Sequence, residues 1–307
     1  MGSARLSPVS GVSRDGRPLA HHRPPASDLA PWVARLFVTA VGQPEGQTLS
    51  CGLFNDTPFV RVIVRGDWTG HTAEGAVRCS HGPLLFGAHS RRMPITVAGP
   101  FATIGFALKP GALAALGDPW GAAGIDCIRP IATDGLWARW ARIEDFDART
   151  PEDWLGWLEE ALRAYIAASE APPPDPLATA FDRAILADPS LSLDGFVQAR
   201  GVSRRQLERV TRRDFGLPPR VVARRARVLD MASQLLGIAD ANEAAEQALR
   251  FYDQSHLIRD FRALLDCTPS QLVRAPQPIL TLGLEPRQAR RLEVLGRLGQ
   301  AQRVPWR

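Results

Sequence analysis

The fold of this chain is decided by one stretch, Asp253-Gln254-Ser255-His256-Leu257-Ile258-Arg259-Asp260-Phe261, and by the Thr268-Pro269-Ser270-Gln271 that follows it. Asp253 is a helix start signal, and apolar residues then recur every three or four positions, at Leu257, Phe261, Leu264 and Leu265. Thr268, Pro269 and Gln271 form a second start signal, which predicts another helix directly afterwards. The polar side of the first helix carries Gln254, Ser255, Arg259 and Arg262, whose side chains can hydrogen-bond base edges or phosphates.

A comparable pair of helices is predicted upstream. Ser192 caps a helix to about residue 199, Gly201-Val202 makes a tight turn, and Ser203-Arg204-Arg205-Gln206 has the spacing of a capping box that opens the next helix. A helix, a short glycine-containing turn and a second helix are the helix-turn-helix pattern. In the second helix Arg205, Arg209 and Arg212 fall at i, i+4 and i+7, so they form one outward stripe suited to guanine or phosphate contacts.

The spacing between the two pairs carries more weight than either pair alone. Residues 219–236 predict a connecting helix of about 28 Å at 1.5 Å per residue. Asp240-Ala241-Asn242-Glu243 is another capping box, which opens a helix to about residue 249 and makes the second unit a repeat of the first. Successive major-groove faces of B-DNA are ~34 Å apart, so two such helices can enter adjacent grooves on one side of the duplex.

Positive charge is concentrated in the same part of the chain. Residues 1–170 carry 15 Arg and one Lys against 17 acids, a net of −1, whereas residues 171–307 carry 21 Arg against 15 acids, a net of +6. The densest segment, from Arg200 to Arg227, holds ten arginines against Glu208 and Asp214. A solvated helix face is the ordinary explanation of a charge run, and a phosphate-binding surface is the functional one.

The run of residues 192–274 resembles the paired helix-turn-helix domain of AraC/XylS-type transcription regulators. The second unit carries the signature from Phe251 to Phe261 and again at Thr268-Pro269-Ser270-Gln271, and the first unit matches through Gly201-Val202-Ser203 and Gly216-Leu217-Pro218-Pro219. The resemblance implies that the base-facing side chains are Arg205, Glu208, Arg209, Gln254, Ser255, Ile258 and Arg259. Three positions depart from the family pattern: Arg250 replaces a glycine before the aromatic residue, Thr211 replaces a phenylalanine, and Leu265-Asp266 replaces a hydrophobic-Gly pair.

The N-terminal half predicts strands. Short β-prone runs, bounded mostly by Gly, Pro, Asn or Asp, cover residues 35–41, 49–54, 59–64, 76–79, 84–88, 93–97 and 101–108. Strands at intervals of about ten residues favour a sandwich or barrel over βαβ units. Helical patterns follow at 111–116, 135–143 and 150–169. The segments 82–87 and 106–112 are similar to the N-terminal domain of one branch of the same family, which implies a sensing or dimerising role.

The sequence therefore predicts an α+β protein in five parts. These are a disordered lead (1–27), a β-rich barrel or sandwich with flanking helices (28–170), a proline-rich linker (171–176), an all-α domain with two helix-turn-helix units (177–274) and a basic tail (275–307). The tail predicts a short amphipathic helix at 288–298, which either docks onto the preceding domain or adds phosphate contacts. Since no run approaches eighteen apolar residues and no signal-peptide block is present, we expect a cytoplasmic protein that does not enter a membrane.

We expect a sequence-specific DNA-binding transcription regulator with no enzymatic activity. Neither the histidines nor Cys51, Cys79, Cys127 and Cys267 show metal-ligand spacing, and no nucleophile or nucleotide motif occurs, so no catalytic residue, metal or cofactor is expected. Phosphate contacts are expected from Arg204, Arg212, Arg213, Arg224 and Arg262. The expected partner is double-stranded DNA, with RNA polymerase, a small-molecule effector of unknown identity and a second copy of the chain as further candidates.

Two alternatives remain open from the sequence. The N-terminal barrel could bind a small molecule or act on it as an enzyme, with the basic half directing it to DNA. Trp68, Trp120, Trp137 and Trp140 could line such a pocket, although core packing is the ordinary role of tryptophan. An architectural protein that binds DNA without sequence preference is the other alternative, and the polar, uneven recognition faces disfavour it.

Overall fold

The computed structural model describes residues 10–12, 18–117, 124–131, 143, 146–239, 254–275 and 277–298, with side chains for all except 10–12, 18–19 and 254–257. Strands fill the first part of this range and helices the second, which confirms the predicted α+β class. The strands are β1 (Ser10–Val12), β2 (Pro18–Arg23), β3 (Val33–Val41), β4 (Thr48–Leu53), β5 (Phe59–Thr72), β6 (Gly75–Cys79), β7 (Gly82–Phe86), β8 (Met93–Leu108) and β9 (Ile128–Pro130). No helix of the described residues is long and apolar enough to cross a membrane.

The described strands pair antiparallel in one nine-stranded sheet, in the order β1-β2-β3-β8-β5-β7-β9, with β4 on β8 and β6 on β5. The described strands thus share one sheet and do not form the two sheets of a sandwich. The long strands exchange partners along their length: β8 pairs with β4 up to Ala98 and with β3 from Phe101 onwards. Register shifts on either side of Arg65 mark bulges, which bend β5.

Two predicted strands, 93–97 and 101–108, are one strand in the structure. The sequence predicts a turn at Ala98-Gly99-Pro100, but β8 continues through it, with Gly99 at a φ of 71°. Glycine adopts this left-handed conformation without steric cost, so the chain bends and stays in the sheet. Pairing with β5 on the far side holds β8 on both flanks of the bend. The sequence at Ala98-Gly99-Pro100 favours a turn, but pairing with β5 keeps the chain in the sheet.

The segment predicted as a disordered lead contains β1 and β2. Strand β2 pairs with β3, with His22 opposite Phe37. Arg23 forms ion pairs of 2.8 Å with both Glu152 and Glu159. A short polar strand has no hydrophobic periodicity, so these partners, more than 100 residues away along the chain, were not visible in the local pattern.

The helices are α1 (Ala112–Ala115), α2 (Pro151–Ala168), α3 (Pro176–Ala187), α4 (Leu193–Arg200), α5 (Arg204–Asp214), α6 (Pro219–Leu235), α7 (Gln254–Leu265), α8 (Pro269–Arg274) and α9 (Pro278–Val294), with a 3-10 turn at Phe146–Ala148. One face of the sheet packs on α2, where Val60 and Ile104 share a core with Trp154 and Leu158. Helix α2 begins as predicted, in a capping box in which Thr150 and Asp153 bond each other. The helix predicted at 135–143, apart from Ile143, and the residues Trp120, Trp137 and Trp140 lie outside the described part.

The other face of the sheet shares a core with the C-terminal helices, and α9 joins the two. Phe59 and Phe86 of the sheet, Leu229 of α6 and Leu284 of α9 belong to one cluster of buried residues. Helix α9 contacts β2, β4, α3 and α6. It begins ten residues before the short helix predicted at 288–298, and most of its length is buried.

The basic residues of α9 are neutralised inside the molecule. Arg287 pairs with Asp56 at 2.7 Å and also with Asp230 of α6, and Arg291 pairs with the same Asp230 at 2.9 Å. Arg290 pairs with Asp182 of α3. The sequence predicts these arginines in a basic tail that either docks onto the preceding domain or adds phosphate contacts, and the ion pairs show that α9 docks.

Candidate nucleic-acid interface

The first helix-turn-helix unit consists of α4, a turn and α5. Ser192 caps α4 by accepting a 3.2 Å hydrogen bond from the Gly195 amide, and Ser203 caps α5 by accepting one of 3.1 Å from the Gln206 amide. Gly201 ends α4 at a φ of 62°, the left-handed conformation that turns the chain into α5. The cap at Ser203 is one-sided among the described hydrogen bonds, whereas the sequence predicts a reciprocal capping box.

An apolar cluster holds α5 against its neighbours. Leu207 and Val210 point inward, and Phe181 of α3 packs edge-on against Phe196 of α4 at 5.3 Å and Phe215 at 5.6 Å between ring centroids. Edge-to-face packing of this kind fixes relative helix orientation. The orientation of the exposed face of α5 is therefore determined by the core beneath it.

Thr211, one of the departures from the family pattern, lies fully buried in this core. Its hydroxyl donates a 3.2 Å hydrogen bond to the Glu208 carbonyl of its own helix. A buried hydroxyl is tolerated when it has such a partner. The replacement of phenylalanine thus leaves no unsatisfied polar group at this position.

The exposed face of α5 carries two kinds of arginine. Arg205, Arg209 and Arg212, together with Glu208, are exposed, and none of them forms an ion pair with a residue that the structure describes. Arg204 is exposed as well, but its Nε lies 2.7 Å from an Asp194 carboxylate oxygen. The exposed arginines without a described ion pair, Arg205, Arg209 and Arg212, are those of the predicted stripe.

Arg213 is bound to two carboxylates. Its guanidinium donates hydrogen bonds of 2.6 Å to Asp214 and 2.8 Å to Asp175, the residue that caps α3. The bonds to Asp214, followed by those to Asp175, raise the pKa of Arg213 above its ordinary value. This side chain, expected to contact phosphate, therefore holds the end of α5 to the start of α3.

The second unit is described in part. The predicted helix at 240–249, the turn at Phe251-Tyr252, Arg250 and the cap Asp253 lie outside the described residues, as do the side chains of Gln254 and Ser255. In α7, Phe261, Leu264 and Leu265 are buried as predicted, which confirms the apolar stripe from that point. Ile258 and Arg259 are exposed, and an exposed isoleucine is available for an apolar contact with a partner.

The turn between α7 and α8 contains the third departure from the family pattern. Asp266 has a φ of 55°, the left-handed conformation that a glycine adopts more easily. Thr268 and Gln271 then form the predicted capping box, with bonds of 2.8 Å and 3.2 Å. An aspartate therefore adopts the left-handed conformation at the position where the family pattern has a glycine.

Helix α6 connects the two units. Its 17 residues span about 25 Å at 1.5 Å per residue. It contacts α5 at one unit and both α7 and α8 at the other. Arg224 of α6 pairs with Asp260 of α7 at 2.7 Å. This arginine, which was expected to contact phosphate, therefore joins the connecting helix to α7. Arg262 of α7 is exposed.

The family comparison agrees with this arrangement. Residues 196–275 match a protein-family model described as a helix-turn-helix domain. They form an AraC-type helix-turn-helix domain. A domain of this kind supports a DNA-binding role in transcription regulation.

Solved structures show a broader likeness. ToxT from Vibrio cholerae is 10% identical, with 77% of this chain and 96% of that one covered and a TM-score of 0.46. A structure of ToxT from Vibrio cholerae bound to an unsaturated fatty acid is 10% identical, with 78% of this chain and 94% of that one covered and a TM-score of 0.45. The AraC-like transcriptional activator CuxR is 12% identical, with 84% of this chain and 92% of that one covered and a TM-score of 0.27. No curated protein matches the chain significantly.

The AraC-type domain is also attached to the sheet through an arginine that the sequence did not single out. Arg225 of α6 is 1% exposed and donates hydrogen bonds of 2.8 Å to the His89 carbonyl and 2.7 Å to the Asp56 carbonyl. It was counted in the basic run from Arg200 to Arg227. A signal was present, since Arg225 lies three residues after the buried Val222 and next to Ala226 on the apolar stripe.

The described residues contain no group of three or more His, Cys, Asp or Glu that could hold a metal ion. The four cysteines are free, with Cys51 and Cys127 buried. The exposed groups on the predicted contact faces of α5 and α7 are therefore guanidinium groups, the Glu208 carboxylate and the Ile258 side chain.

Proposed function

We propose that the chain is a sequence-specific regulator that inserts α5 and α7 into adjacent major grooves of one DNA site. The proposal rests on the exposed face of α5, which carries Arg205, Glu208 and Arg209. The opposite face of this helix packs into an apolar core. The length of α6, which separates α5 from α7, supports the two-groove arrangement.

The base contacts follow from the chemistry of each side chain. Arg205 and Arg209 can each make a bidentate contact with guanine. Glu208 can accept a hydrogen bond from a cytosine amine, and its charge disfavours a position against phosphate. On α7 we propose Ile258 for a thymine methyl group and Arg259 for a guanine, with Gln254 and Ser255 completing that face.

The expected phosphate ligands fall into two groups. Arg212 and Arg262 are exposed and form no ion pair with a described residue, so a phosphate would be their first counter-ion. Arg204, Arg213 and Arg224 already bind carboxylates, so a phosphate would have to replace Asp194, the Asp175–Asp214 pair or Asp260. We therefore propose that Arg212 and Arg262 contribute most to salt-dependent affinity.

Binding-site selection with the full chain tests the proposal, because a sequence-specific reader enriches a motif with two half-sites about one helical turn apart. On the selected site Arg209→Ala should cost about 1–3 kcal/mol and relax the preference at one position. Failure to enrich any motif would sink the claim of sequence specificity.

The salt dependence separates phosphate contacts from base contacts. Arg212→Gln should reduce the slope of log affinity against log salt concentration by about 0.9 and weaken all sequences alike. Arg78→Gln removes the same charge from the exposed strand β6 and is the matched control. Equal slopes for the two variants would contradict the placement of Arg212 against phosphate.

A further inference from the structure

A cleft lies between the sheet and the second helix-turn-helix unit. Its walls are the end of β5, the loop that leads into β8 and the last turn of α7. The volume open to the centres of water molecules is about 370 Å³. The titratable side chains that line this cleft are His71, Arg91, Arg92, Asp126, Arg262 and Asp266. The cleft therefore brings basic residues of the N-terminal half beside a basic residue of α7, although they lie far apart along the chain.

A main-chain hydrogen bond fixes the loop before β8 to α7. The Arg92 amide donates to the Leu264 carbonyl at 2.6 Å. Leu264 lies in the last turn of α7, where the carbonyls have no partner within the helix. The loop thus supplies a donor that this helix end needs, and the position of the loop is set relative to α7.

The Arg92 side chain holds the loop from the other side. Its Nη2 donates a 3.2 Å hydrogen bond to the Gln277 side-chain oxygen. Its stem lies against Gly52 of β4, where an added Cβ atom would come 2.6 Å from the Arg92 Cγ. Arg92 is therefore a positioning residue, and the neighbouring Arg91 is exposed.

Arg91 and Arg262 are exposed cations that form no ion pair with a residue that the structure describes. Two aspartates share the cleft with them. The Asp126 carboxylate accepts hydrogen bonds from the Ser90 amide, at 2.8 Å, and from the Ser90 hydroxyl. Asp266 is exposed at the end of α7. With three arginines against two aspartates, positive charge is in excess in the cleft.

Arg262 connects the cleft with the face of α7 that carries the expected base contacts. It follows Ile258 by four positions and Arg259 by three, so the three side chains lie on one side of the helix. From Gln254 to Arg262 the helix advances about 12 Å at 1.5 Å per residue, which is about the width of the major groove. With the first turn of α7 in that groove, Arg262 lies at its edge, where the sugar-phosphate backbone passes.

We propose that Arg91 contacts a DNA phosphate next to the one that Arg262 contacts, so that the N-terminal sheet forms part of the DNA-binding surface. Phosphates of one strand recur every ~3.4 Å along the duplex axis, so two arginines of one cleft can bind neighbouring phosphates. The inference rests on the proposed function, because it needs α7 in a major groove. Arg91 then contributes affinity without base preference, since phosphate contacts carry no sequence information.

The salt dependence of DNA binding tests this contact. Fluorescence anisotropy of the full chain is measured at several salt concentrations, with one duplex from binding-site selection and one of unrelated sequence. Arg91→Gln should reduce the slope of log affinity against log salt concentration by about 0.9 on both duplexes. Arg91→Lys keeps the charge and should keep the slope. An unchanged slope for Arg91→Gln would overturn the proposal.

Arg149→Gln is the matched control. It removes the same charge from an exposed position directly before α2, on the opposite face of the sheet. We expect the slope of this variant to equal that of the parent chain. A decrease as large as that of Arg91→Gln would show a general effect of net charge and would overturn the proposal. Far-ultraviolet circular dichroism verifies that each variant is folded.

Arg262→Gln separates failure of this inference from failure of the proposed function. If Arg262→Gln lowers the slope by about 0.9 and Arg91→Gln does not, α7 faces DNA without the sheet, and this inference alone is wrong. If neither variant changes the slope, the proposed placement of α7 is wrong as well. The double variant should lose about 1.8, the sum for two phosphates.

Inorganic phosphate is the comparison ligand, because the cleft could instead hold the phosphate group of a small molecule. Calorimetric titration of the full chain and of Arg91→Gln distinguishes the two sources of phosphate. Binding of inorganic phosphate that requires Arg91, together with an unchanged DNA slope in Arg91→Gln, would assign the cleft to a free ligand and overturn the proposal.

Discussion

Acid should loosen the contact between the sheet and α6 through His89. This side chain is fully buried, and its Nδ1 accepts a 3.0 Å hydrogen bond from the Asn55 amide. Burial lowers the pKa of His89 to about 4, an effect that the Arg225 charge reinforces and the Asp126 charge opposes. The His89 carbonyl accepts a hydrogen bond from Arg225 of α6, so the residue that titrates also takes part in holding this helix.

The size of the effect follows from the two pKa values. An unfolded histidine has a pKa of about 6.5, so the unfolded chain binds a proton first as the pH falls, and stability is lost from that pH down through about 4. Each pKa unit is worth 1.36 kcal/mol, which gives a loss of about 2 kcal/mol between pH 7 and pH 5. Above pH 6.5 the neutral imidazole contributes its full stabilisation.

Urea denaturation at pH 7 and pH 5 measures this loss. We expect His89→Gln to lose about 2 kcal/mol less than the unchanged chain over this interval, since glutamine does not titrate there. His71→Gln replaces an exposed histidine on β5 and should leave the pH dependence as it is. If the His89 variant loses as much free energy of unfolding as the parent, the reasoning from burial is refuted.

Three further predictions concern backbone and ion pairs. Gly201→Ala should lower the free energy of unfolding by about 1–2 kcal/mol because the φ of Gly201 is 62°. Gly195→Ala, inside α4, should leave the free energy of unfolding unchanged or raise it by up to about 1 kcal/mol. Equal free energies of unfolding in urea for the two variants would contradict both expectations. Asp266→Gly should stabilise the chain by up to about 1 kcal/mol because it relieves the left-handed conformation, and a lower melting temperature in calorimetry would show that side-chain contacts of the aspartate outweigh the strain. Asp230→Ala should lower the free energy of unfolding by about 3–5 kcal/mol because it removes the carboxylate that pairs with the buried Arg287 and Arg291. A decrease below about 1 kcal/mol in urea denaturation would mean that these two ion pairs contribute little.

Local signals in the sequence were sufficient for the starts of several helices. Ser192, Thr150 and Thr268 cap helices where their spacing indicated, because a cap is an interaction between residues three positions apart. The exposure of Arg205 and Arg209 follows in the same way from helical periodicity over a buried Leu207. Such features need no knowledge of the rest of the fold.

Long-range partners account for what the sequence did not predict. Strand β8 runs through Gly99-Pro100 because β5 continues beside it, and nothing local encodes that neighbour. The pairing of Arg213 with Asp175 joins positions 38 residues apart. Arg61 reads as an ordinary strand arginine until four aromatic rings from three strands are brought around it. The aromatic surroundings of Arg61 could therefore be found only in the folded chain.

The position of α9 has a consequence for how the protein is made. Because synthesis proceeds from the N-terminus, the ribosome completes the sheet, α3 and α6 before the helix that joins them. Until then Asp182 and Asp230 lack their arginines, and the apolar sheet face around Phe59 lacks its cover. A message cut short before α9 would thus yield a nascent polypeptide with an open hydrophobic surface, suited to chaperone capture and proteolytic removal.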